Sequence, residues 1–267
     1  MITLAIDNLD LKKIANSGQC FRMTERYRGE YQLIALDKYL EISETDKQNI
    51  FTLSCSELEY RNFWYSYFDM DTDYNSIISS VNPKDTYLNE AIKFGYGIRI
   101  LKQDLWEIIV TFLISQNNNI TRIRKTIDAL CLKFGKPLLN FRGEIYYSFP
   151  SPKALADASN EELRYCGLLR DKYINKTARL IDDGTFSLET LCSLNYLDSH
   201  KKCMELPGVG SKVADCICLF GLHHTQAFPL DTHIKAILAQ HYPEGFPHHL
   251  YEGYQGILQQ YMFYYDL

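Results

Sequence analysis

The segment LPGVG at residues 206–210 constrains the fold of this chain more than any other stretch. Pro207 fixes one backbone angle. Gly208 and Gly210 permit a positive φ or the close approach of another backbone. Together these residues predict a tight glycine hairpin.

A helix is expected to follow this hairpin at once, with Ser211 as its N-cap. The apolar residues after Ser211 have helical spacing: Val213, Ala214, Ile217, Leu219 and Phe220. A weaker helical pattern occupies residues 194–205, so the sequence predicts helix, hairpin and helix over about residues 194–222. The free N–H groups at the positive end of the second helix form a good site for a phosphate.

Two charged residues stand out after the hairpin. Lys212 is in the first turn of the helix, where the positive end of the dipole disfavours an ammonium and favours the neutral, nucleophilic amine. Asp231 comes 19 residues later and directly precedes Thr232, another expected helix start. The simpler interpretations are a solvated lysine and an N-capping aspartate. The combination with the hairpin argues against both.

These features resemble the helix-hairpin-helix DNA glycosylases, whose signature ends in Gly, Pro and Asp. Within that superfamily, the segment GVGSKVADCICL at residues 208–219 is similar to the motif of the 8-oxoguanine DNA glycosylase/AP lyase branch. A lysine at the position of Lys212 marks glycosylases that are also lyases. Further motifs occur in the family order, beginning with SGQCFR at residues 17–22, so the resemblance covers nearly the whole chain.

The resemblance implies an α+β fold that is mostly α. Residues 1–100 would form an N-terminal antiparallel β-sheet domain with flanking helices. Residues 101–267 would form an α-helical helix-hairpin-helix glycosylase domain, with the boundary near residues 97–102.

Local patterns agree with this division. Residues 4–9 and 31–42 are predicted strands, because aromatic and β-branched residues alternate roughly with polar ones. Asp104 is expected to cap an apolar core helix. Three further segments have helical patterns: 75–96, with a break near Asn82 and Pro83, 154–166 and 251–265.

The resemblance also implies a pocket for a flipped base. The carbonyl of Gly18 would accept a hydrogen bond from N7–H of 8-oxoguanine. Guanine has no hydrogen on N7, so one buried carbonyl separates the two bases. Gln259 would bond the Watson–Crick edge, while Phe263 and Cys216 would touch the two faces. The simpler interpretations are a turn glycine, a satisfied glutamine and a core phenylalanine.

Four residues match positions that the family uses to hold the opposite base or to fill the vacated stack: Asn117, Arg122, Leu169 and Arg170. Arg122 can donate two parallel hydrogen bonds to cytosine, whereas adenine offers no such pair of acceptors. Leu169 would be the wedge, although the family often has an aromatic residue there. The alternatives are a polar asparagine turn, and a core leucine followed by a surface arginine.

The expected contacts to DNA phosphates are the hairpin glycines, Gly208 and Gly210, and His233. A histidine at a helix start is otherwise a plain surface residue. By resemblance, hairpin carbonyls would hold a cation that bridges to phosphate; they belong to Met204, Leu206 and Val209. No metal site made of side chains is predicted.

The net charge of −5 argues by itself against DNA binding, but residues 101–240 carry a net charge of +2. Backbone amides and a few arginines would therefore have to bind the phosphates. The eight cysteines are scattered, and no four-cysteine group follows Asp231, so neither a zinc ribbon nor an iron–sulfur cluster is expected. The sequence has no apolar run of about 18 residues and no signal-peptide pattern. We expect a monomer without a membrane segment, cytoplasmic (nucleoid) in a bacterium or nuclear in a eukaryote.

The sequence thus predicts a bifunctional DNA repair glycosylase for double-stranded DNA containing 8-oxoguanine, preferably opposite cytosine, and without a cofactor. Lys212 would attack C1′, and Asp231 would stabilise the developing oxocarbenium charge. One alternative is a glycosylase for alkylated or other oxidised purines on the same fold, but Lys212 argues against members without lyase activity. Another is a non-catalytic helix-hairpin-helix DNA-binding protein, in which Asp231 and the pocket residues would be idle.

Overall fold

The computed structural model describes residues 1–267. The N-terminal strands are β1 (Ile2–Ala5), β2 (Met23–Tyr27), β3 (Glu30–Ala35), β4 (Lys38–Glu44) and β5 (Ile50–Leu53). They form one antiparallel sheet in the order β1-β5-β4-β3-β2. Helix α1 (Leu11–Asn16) connects β1 to β2, and the loop that follows α1 carries Gly18.

The predicted single strand at residues 31–42 is wrong, because this segment is the hairpin of β3 and β4. Ala35 pairs with Lys38, so Leu36 and Asp37 form a two-residue turn. Leu36 adopts a φ of +54°, a conformation in which glycine or asparagine is usual, and the sequence therefore contains no turn signal. The predicted strand at residues 4–9 is displaced, since β1 ends at Ala5.

Helices dominate the rest of the chain, which confirms the α+β, mostly α, fold. A π-helical turn at Tyr60–Trp64 lies between α2 (Glu57–Glu59) and α3 (Tyr65–Tyr67). The next elements are α4 (Tyr74–Ser79), α5 (Thr86–Gly95), α6 (Leu105–Ser115), α7 (Ile120–Phe134), β6 (Pro137–Leu139), β7 (Ile145–Tyr147), α8 (Pro152–Asp157) and α9 (Asn160–Tyr165). The last are α10 (Asp171–Asp182), α11 (Leu188–Ser193), α12 (Tyr196–Cys203), α13 (Ser211–Phe220), α14 (Thr232–His241), a 3-10 turn (His248–Leu250) and α15 (Gln255–Tyr265). None of these helices combines the length and the apolar composition needed to cross a membrane.

Two helix predictions need new boundaries. Residues 154–166 belong to two helices, because Ser159 and Glu162 form a capping box that starts α9. The C-terminal helix begins at Gln255, since Tyr251 directly follows the 3-10 turn. The other segments are confirmed, including the break between α4 and α5 and the Asp104 cap of α6.

The chain has two hydrophobic cores. One lies between the sheet and helices α1–α3, and the larger one lies among the later helices. Helix α15 packs on α5, where a Cβ at Gly95 would lie 2.7 Å from Cδ1 of Tyr261. The last helix therefore returns to the N-terminal half of the chain and reaches the loop after α1.

A buried carboxylate joins the two halves. Asp69, which follows α3, contacts Lys102 at 2.9 Å, His223 at 3.2 Å and the Tyr74 hydroxyl at 2.9 Å. Burial raises the pKa of Asp69, but hydrogen bonds from His223 and Lys102 outweigh this and lower it to about 2. The charged Asp69 therefore anchors His223, just beyond α13, against the N-terminal half.

Candidate active site

The predicted hairpin lies between α12 and α13. Its turn closes with a 3.1 Å hydrogen bond from the N–H of Val209 to the carbonyl of Leu206. Gly208 adopts a φ of +79°, and a Cβ there would lie 2.6 Å from Cδ2 of Tyr173. Gly210 differs, because its φ is −96° and a Cβ there would meet no atom within 4 Å. The hairpin therefore requires glycine at 208 for its own fold and leaves open space at 210.

The predicted Ser211 N-cap is wrong. Gly210 occupies the cap position, and Ser211 is the first residue of α13. No side chain accepts a hydrogen bond from the N–H groups of the first turn. Its N–H groups therefore remain free at the positive end of the helix dipole, which is the arrangement that binds a phosphate.

Two residues from other elements hold the hairpin. Gln116, at the end of α6, donates through Nε2 to the carbonyl of Gly208 at 3.1 Å. The ring of Tyr173 covers Gly208 from α10, and the guanidinium of Arg170 lies 5.8 Å from the centre of that ring. The hairpin is thus in direct contact with the asparagine segment on one side and with the Arg170 segment on the other.

Two alanine substitutions distinguish the structural glycine from the one that faces open space. Gly208→Ala is expected to lower the free energy of unfolding by about 1–3 kcal/mol, because alanine is strained at a positive φ. Gly210→Ala is expected to cost less than about 1 kcal/mol, since it changes only the preference at an N-cap. Despite its intact fold, Gly210→Ala should weaken duplex binding, because the methyl group would enter the open space where a phosphate is expected. Thermal unfolding and duplex titration measure both effects, and unchanged duplex binding by Gly210→Ala would exclude the hairpin as a phosphate site.

Lys212 is half-buried in the first turn of α13. Its Nζ lies 5.6 Å from the ring centre of Phe112, which stacks on Phe220 with 5.3 Å between ring centres. One turn later on the same face is Cys216, whose burial raises the pKa of the thiol to about 11 although Lys212 lowers it. Cys216 is therefore a neutral, weakly polar surface beside the amine at physiological pH.

Asp231 is the N-cap of α14, as its simpler interpretation requires. One carboxylate oxygen accepts a hydrogen bond from the N–H of Ile234 at 2.8 Å, which fixes the rotamer. The other oxygen accepts no hydrogen bond from the protein, and no ion pair within 4.0 Å joins Asp231 to Lys212. The cap therefore does not exclude a catalytic role, because the second carboxylate oxygen of Asp231 is available to another group.

Lys212 and Asp231 line one small cavity of about 50 Å³, well below the usual size of ligand pockets. The same cavity is lined by all four predicted base-binding residues: Gly18, Cys216, Gln259 and Phe263. Ser17, Phe112, Phe220, Pro229 and Gln260 complete the wall. Residues from both ends of the chain and from the hairpin helix thus meet around one small space.

Two hydrogen-bond acceptors in this wall have no protein partner. Gln259 is 4% exposed; its Nε2 donates to the carbonyl of Pro229 at 3.4 Å, and its Oε1 is buried and unpaired. The carbonyl of Gly18 likewise accepts no hydrogen bond from the protein. An unpaired buried acceptor is costly, so Oε1 of Gln259 is explained best by a ligand that brings a donor. The carbonyl of the half-buried Gly18 is open to the same ligand.

Comparisons with known proteins agree with this geometry. The family model of the 8-oxoguanine DNA glycosylase N-terminal domain matches residues 1–109. The family model of HhH-GPD superfamily base excision DNA repair proteins matches residues 110–245, about half of the chain. The chain belongs to the HhH-GPD superfamily.

Individual relatives are similar over different lengths. The chain is 40% identical over 158 residues to the N-glycosylase/DNA lyase of Saccharomyces cerevisiae, which is 55% of this chain and 42% of that protein. It is 37% identical over 164 residues to the N-glycosylase/DNA lyase OGG1 of Arabidopsis thaliana, which is 60% of this chain and 45% of that protein. The chain thus spans less than half the length of these two curated relatives.

One solved structure matches over almost the full chain. It is the Clostridium acetobutylicum 8-oxoguanine glycosylase/lyase in complex with double-stranded DNA containing cytosine opposite 8-oxoG. The TM-score is 0.89 at 35% sequence identity, with 97% of this chain and 92% of that chain covered.

Within this HhH-GPD fold, the residues predicted to contact DNA outside the base pocket lie at the surface near the hairpin. Asn117 is exposed with a φ of +52°, and Arg122 is exposed in the first turn of α7, where Asn119 is the N-cap. Leu169 is 63% exposed, while its neighbour Leu168 fills the core, so the core-leucine alternative is wrong. These residues are free to meet DNA, and their roles remain predictions.

His233 lies at the side of the base pocket. Its ring packs edge-on against Phe263, with 5.6 Å between the ring centres, and its Nε2 is buried without a hydrogen-bond partner. A plain surface residue would have neither feature. The predicted phosphate contact would have to be made by Nδ1, since Nε2 is enclosed.

Several residues of the site were not predicted from the sequence: Ser17, Phe112, Gln116, Tyr173, Phe220, Pro229 and Gln260. Phe112 is hidden in the apolar pattern of α6, and Tyr173 in that of α10. A signal existed for the two glutamines. Gln116 directly precedes the asparagine run, and Gln259 and Gln260 form a polar pair inside the apolar segment ILQQYMF. Buried polar pairs of this kind require hydrogen-bond partners.

Proposed function

We propose that this protein is a bifunctional DNA glycosylase that excises 8-oxoguanine from double-stranded DNA and then cleaves the strand. The observation that carries the proposal is the single cavity in which Lys212 and Asp231 meet two unpaired acceptors, Gly18 and Gln259. A nucleophile and a carboxylate provide the chemistry. The acceptors provide selection of the base.

The proposed reaction begins at the sugar. Nζ of Lys212 forms a bond to C1′ while the C1′–N9 bond breaks, and the base leaves with the bonding electrons. The carboxylate of Asp231, held by the N–H of Ile234, stabilises the positive charge that develops on the sugar. The sugar ring then opens to a Schiff base on Lys212. Loss of a C2′ proton next breaks the C3′–O3′ bond, which cuts the strand by β-elimination.

The selection of the base follows from donors and acceptors. N7–H of 8-oxoguanine would donate to the free carbonyl of Gly18, whereas guanine would place a lone pair against it. The buried Oε1 of Gln259 would accept from the N–H groups on the Watson–Crick edge. The neutral thiol of Cys216 and the ring of Phe263 would contact the two faces, as expected for a flipped purine.

Binding of the DNA backbone would rely on the hairpin rather than on the net charge of the protein. The uncapped first turn of α13 offers N–H groups to one phosphate. The carbonyls of Met204 and Val209 accept no hydrogen bond, and that of Leu206 accepts only one, so all three keep lone pairs for a hard cation. Such an ion would supply positive charge between the hairpin and a phosphate.

A trapping assay tests the proposal. Duplexes carrying one 8-oxoguanine, 7-deaza-8-oxoguanine, guanine or alkylated purine opposite cytosine are incubated with the protein and borohydride. We expect excision and a covalent protein–DNA product with 8-oxoguanine only. Equal excision of guanine and 8-oxoguanine would refute selection by the Gly18 carbonyl. Selective trapping on the alkylated purine would support the alternative glycosylase, and binding without any trapping would support a non-catalytic DNA-binding protein.

Arg122→Met is expected to relax the choice of the opposite base. In the wild type, Arg122 would donate to O2 and N3 of cytosine, and one bidentate contact discriminates by about 1–3 kcal/mol. The variant should gain activity opposite adenine relative to cytosine, with little change opposite cytosine itself. Single-turnover excision on four duplexes that differ only in the opposite base measures this. Lys125→Met, on the exposed side of the same helix, is the control, and equal wild-type rates on all four duplexes would contradict the prediction.

A further inference from the structure

Gln260 makes a contact that neither the sequence motif nor the proposed chemistry uses. It is 2% exposed, and its Nε2 donates to the carbonyl of Ser17 at 2.6 Å. The two residues are separated by 243 positions and come from α15 and from the loop after α1. This hydrogen bond therefore fixes the last helix to the loop that carries Gly18.

Further hydrogen bonds hold Ser17 in the loop after α1. The hydroxyl of Ser17 donates to the carbonyl of Ile14 at 2.9 Å and accepts from Nε2 of Gln19 at 3.1 Å. Gln19 is fully buried and also accepts from the N–H of Leu101 at 2.9 Å. The N–H of Ser17 also donates to the carbonyl of Ile14, at 3.3 Å, so with Gln260 on the Ser17 carbonyl every polar group of Ser17 is bonded. The peptide that precedes Gly18 is therefore fixed in direction.

Gly18 itself has little support of its own. Its φ is +75°, its carbonyl has no protein partner, and a Cβ there would lie 3.4 Å from Cε1 of Phe263. The direction of its carbonyl depends on both neighbours. The peptide before Gly18 acts through the φ and ψ of Gly18, and the buried Gln19 shares the peptide plane of the carbonyl itself. The hydrogen bond from Gln260 fixes the peptide plane between Ser17 and Gly18.

We propose that Gln260 is the positioning residue that aims the Gly18 carbonyl at the N7 position of the bound purine. The inference rests on the proposed function. Gln259 and Gln260 are consecutive on α15, so they point about 100° apart on the helix. Gln259 points into the cavity, and Gln260 points to the Ser17 carbonyl. Helix α15 therefore sets the distance between the Gln259 side chain and the Gly18 carbonyl, which would bind opposite edges of the same base.

Gln260→Met tests this role, because methionine has a similar length and no donor. A misplacement of about 1 Å in a positioned group costs roughly 10²-fold in rate. We expect single-turnover excision of 8-oxoguanine opposite cytosine to fall at least about 10-fold. The preference for 8-oxoguanine over guanine should fall by the same factor. Cleavage at a preformed abasic site should stay within about two-fold, because that reaction needs Lys212 and no base.

Gln255→Met is the matched control. Gln255 lies on the same helix, is buried, and donates to the carbonyl of His248 at 3.3 Å, away from the cavity. The Gln255→Met substitution should leave both base excision and abasic-site cleavage unchanged. If Gln260→Met does not fold, Gln260→Asn withdraws the donor from Ser17 in the same helix and allows the same comparison.

The outcomes separate the two proposals. Wild-type protein that fails to excise 8-oxoguanine overturns the proposed function. Wild-type excision that Gln260→Met retains in full overturns only the positioning role. A parallel loss of excision and abasic-site cleavage in Gln260→Met also overturns it, because a purely structural defect lowers both activities.

Discussion

Lys212→Gln is expected to abolish base excision and borohydride trapping while binding of lesion DNA persists. Glutamine is nearly as long as lysine and keeps the first turn of α13, but its amide cannot form a Schiff base. Single-turnover excision, trapping and duplex titration measure the three properties. Lys47→Gln, at an exposed turn of the N-terminal sheet, is the matched control and should keep wild-type activity.

The contrary result is equally specific. A covalent product trapped with Lys212→Gln at the wild-type rate would place the nucleophile elsewhere, since the cavity contains no other lysine. Loss of DNA binding together with excision would assign Lys212 a contact to the DNA instead.

Asp231→Asn is expected to lower the excision rate by roughly 10²-fold or more. Asparagine is as good an N-cap as aspartate, so the hydrogen bond to Ile234 and the start of α14 should survive. Only the negative charge beside the sugar is removed. The measurement is single-turnover excision of 8-oxoguanine opposite cytosine, with thermal unfolding to check the fold.

Asp73→Asn provides the control for this change. Asp73 is the exposed N-cap of α4 and accepts from the N–H of Ser76 at 3.0 Å, so it shares the capping role without the cavity. The excision rate of Asp73→Asn should equal that of the wild type. A loss of only two- or three-fold for Asp231→Asn with an intact fold would leave Asp231 as a helix cap alone.

The sequence predictions succeeded where the residues that define a feature lie close together in the chain. The hairpin, Lys212 and Asp231 were predictable because one stretch of 26 residues, 206–231, contains them all. The turn at Leu36 and Asp37 was not, since leucine is not typical of a positive-φ position and the rough strand alternation hides the turn. The Ser211 cap was wrong because Gly210, one residue earlier, already takes the cap position.

The base pocket was predictable only through resemblance. Gly18, Gln259 and Phe263 carry no individual signal, and each has an ordinary structural interpretation. The bond between Ser17 and Gln260 joins residues at opposite ends of the chain, so no local pattern encodes it. The sequence does show that two adjacent glutamines in an apolar helix need hydrogen-bond partners. Only the fold identifies those partners.

The return of α15 to the loop after α1 determines when the site is complete during synthesis. The hairpin and Lys212 leave the ribosome well before residues 255–265. A nascent chain that stops before Gln255 therefore has Lys212 and the hairpin but lacks Gln259, Gln260 and Phe263. Proteolytic loss of the last helix has the same result. An unfinished or clipped chain would therefore keep Lys212 and Gly18 but lose the α15 wall of the pocket and its packing against α5.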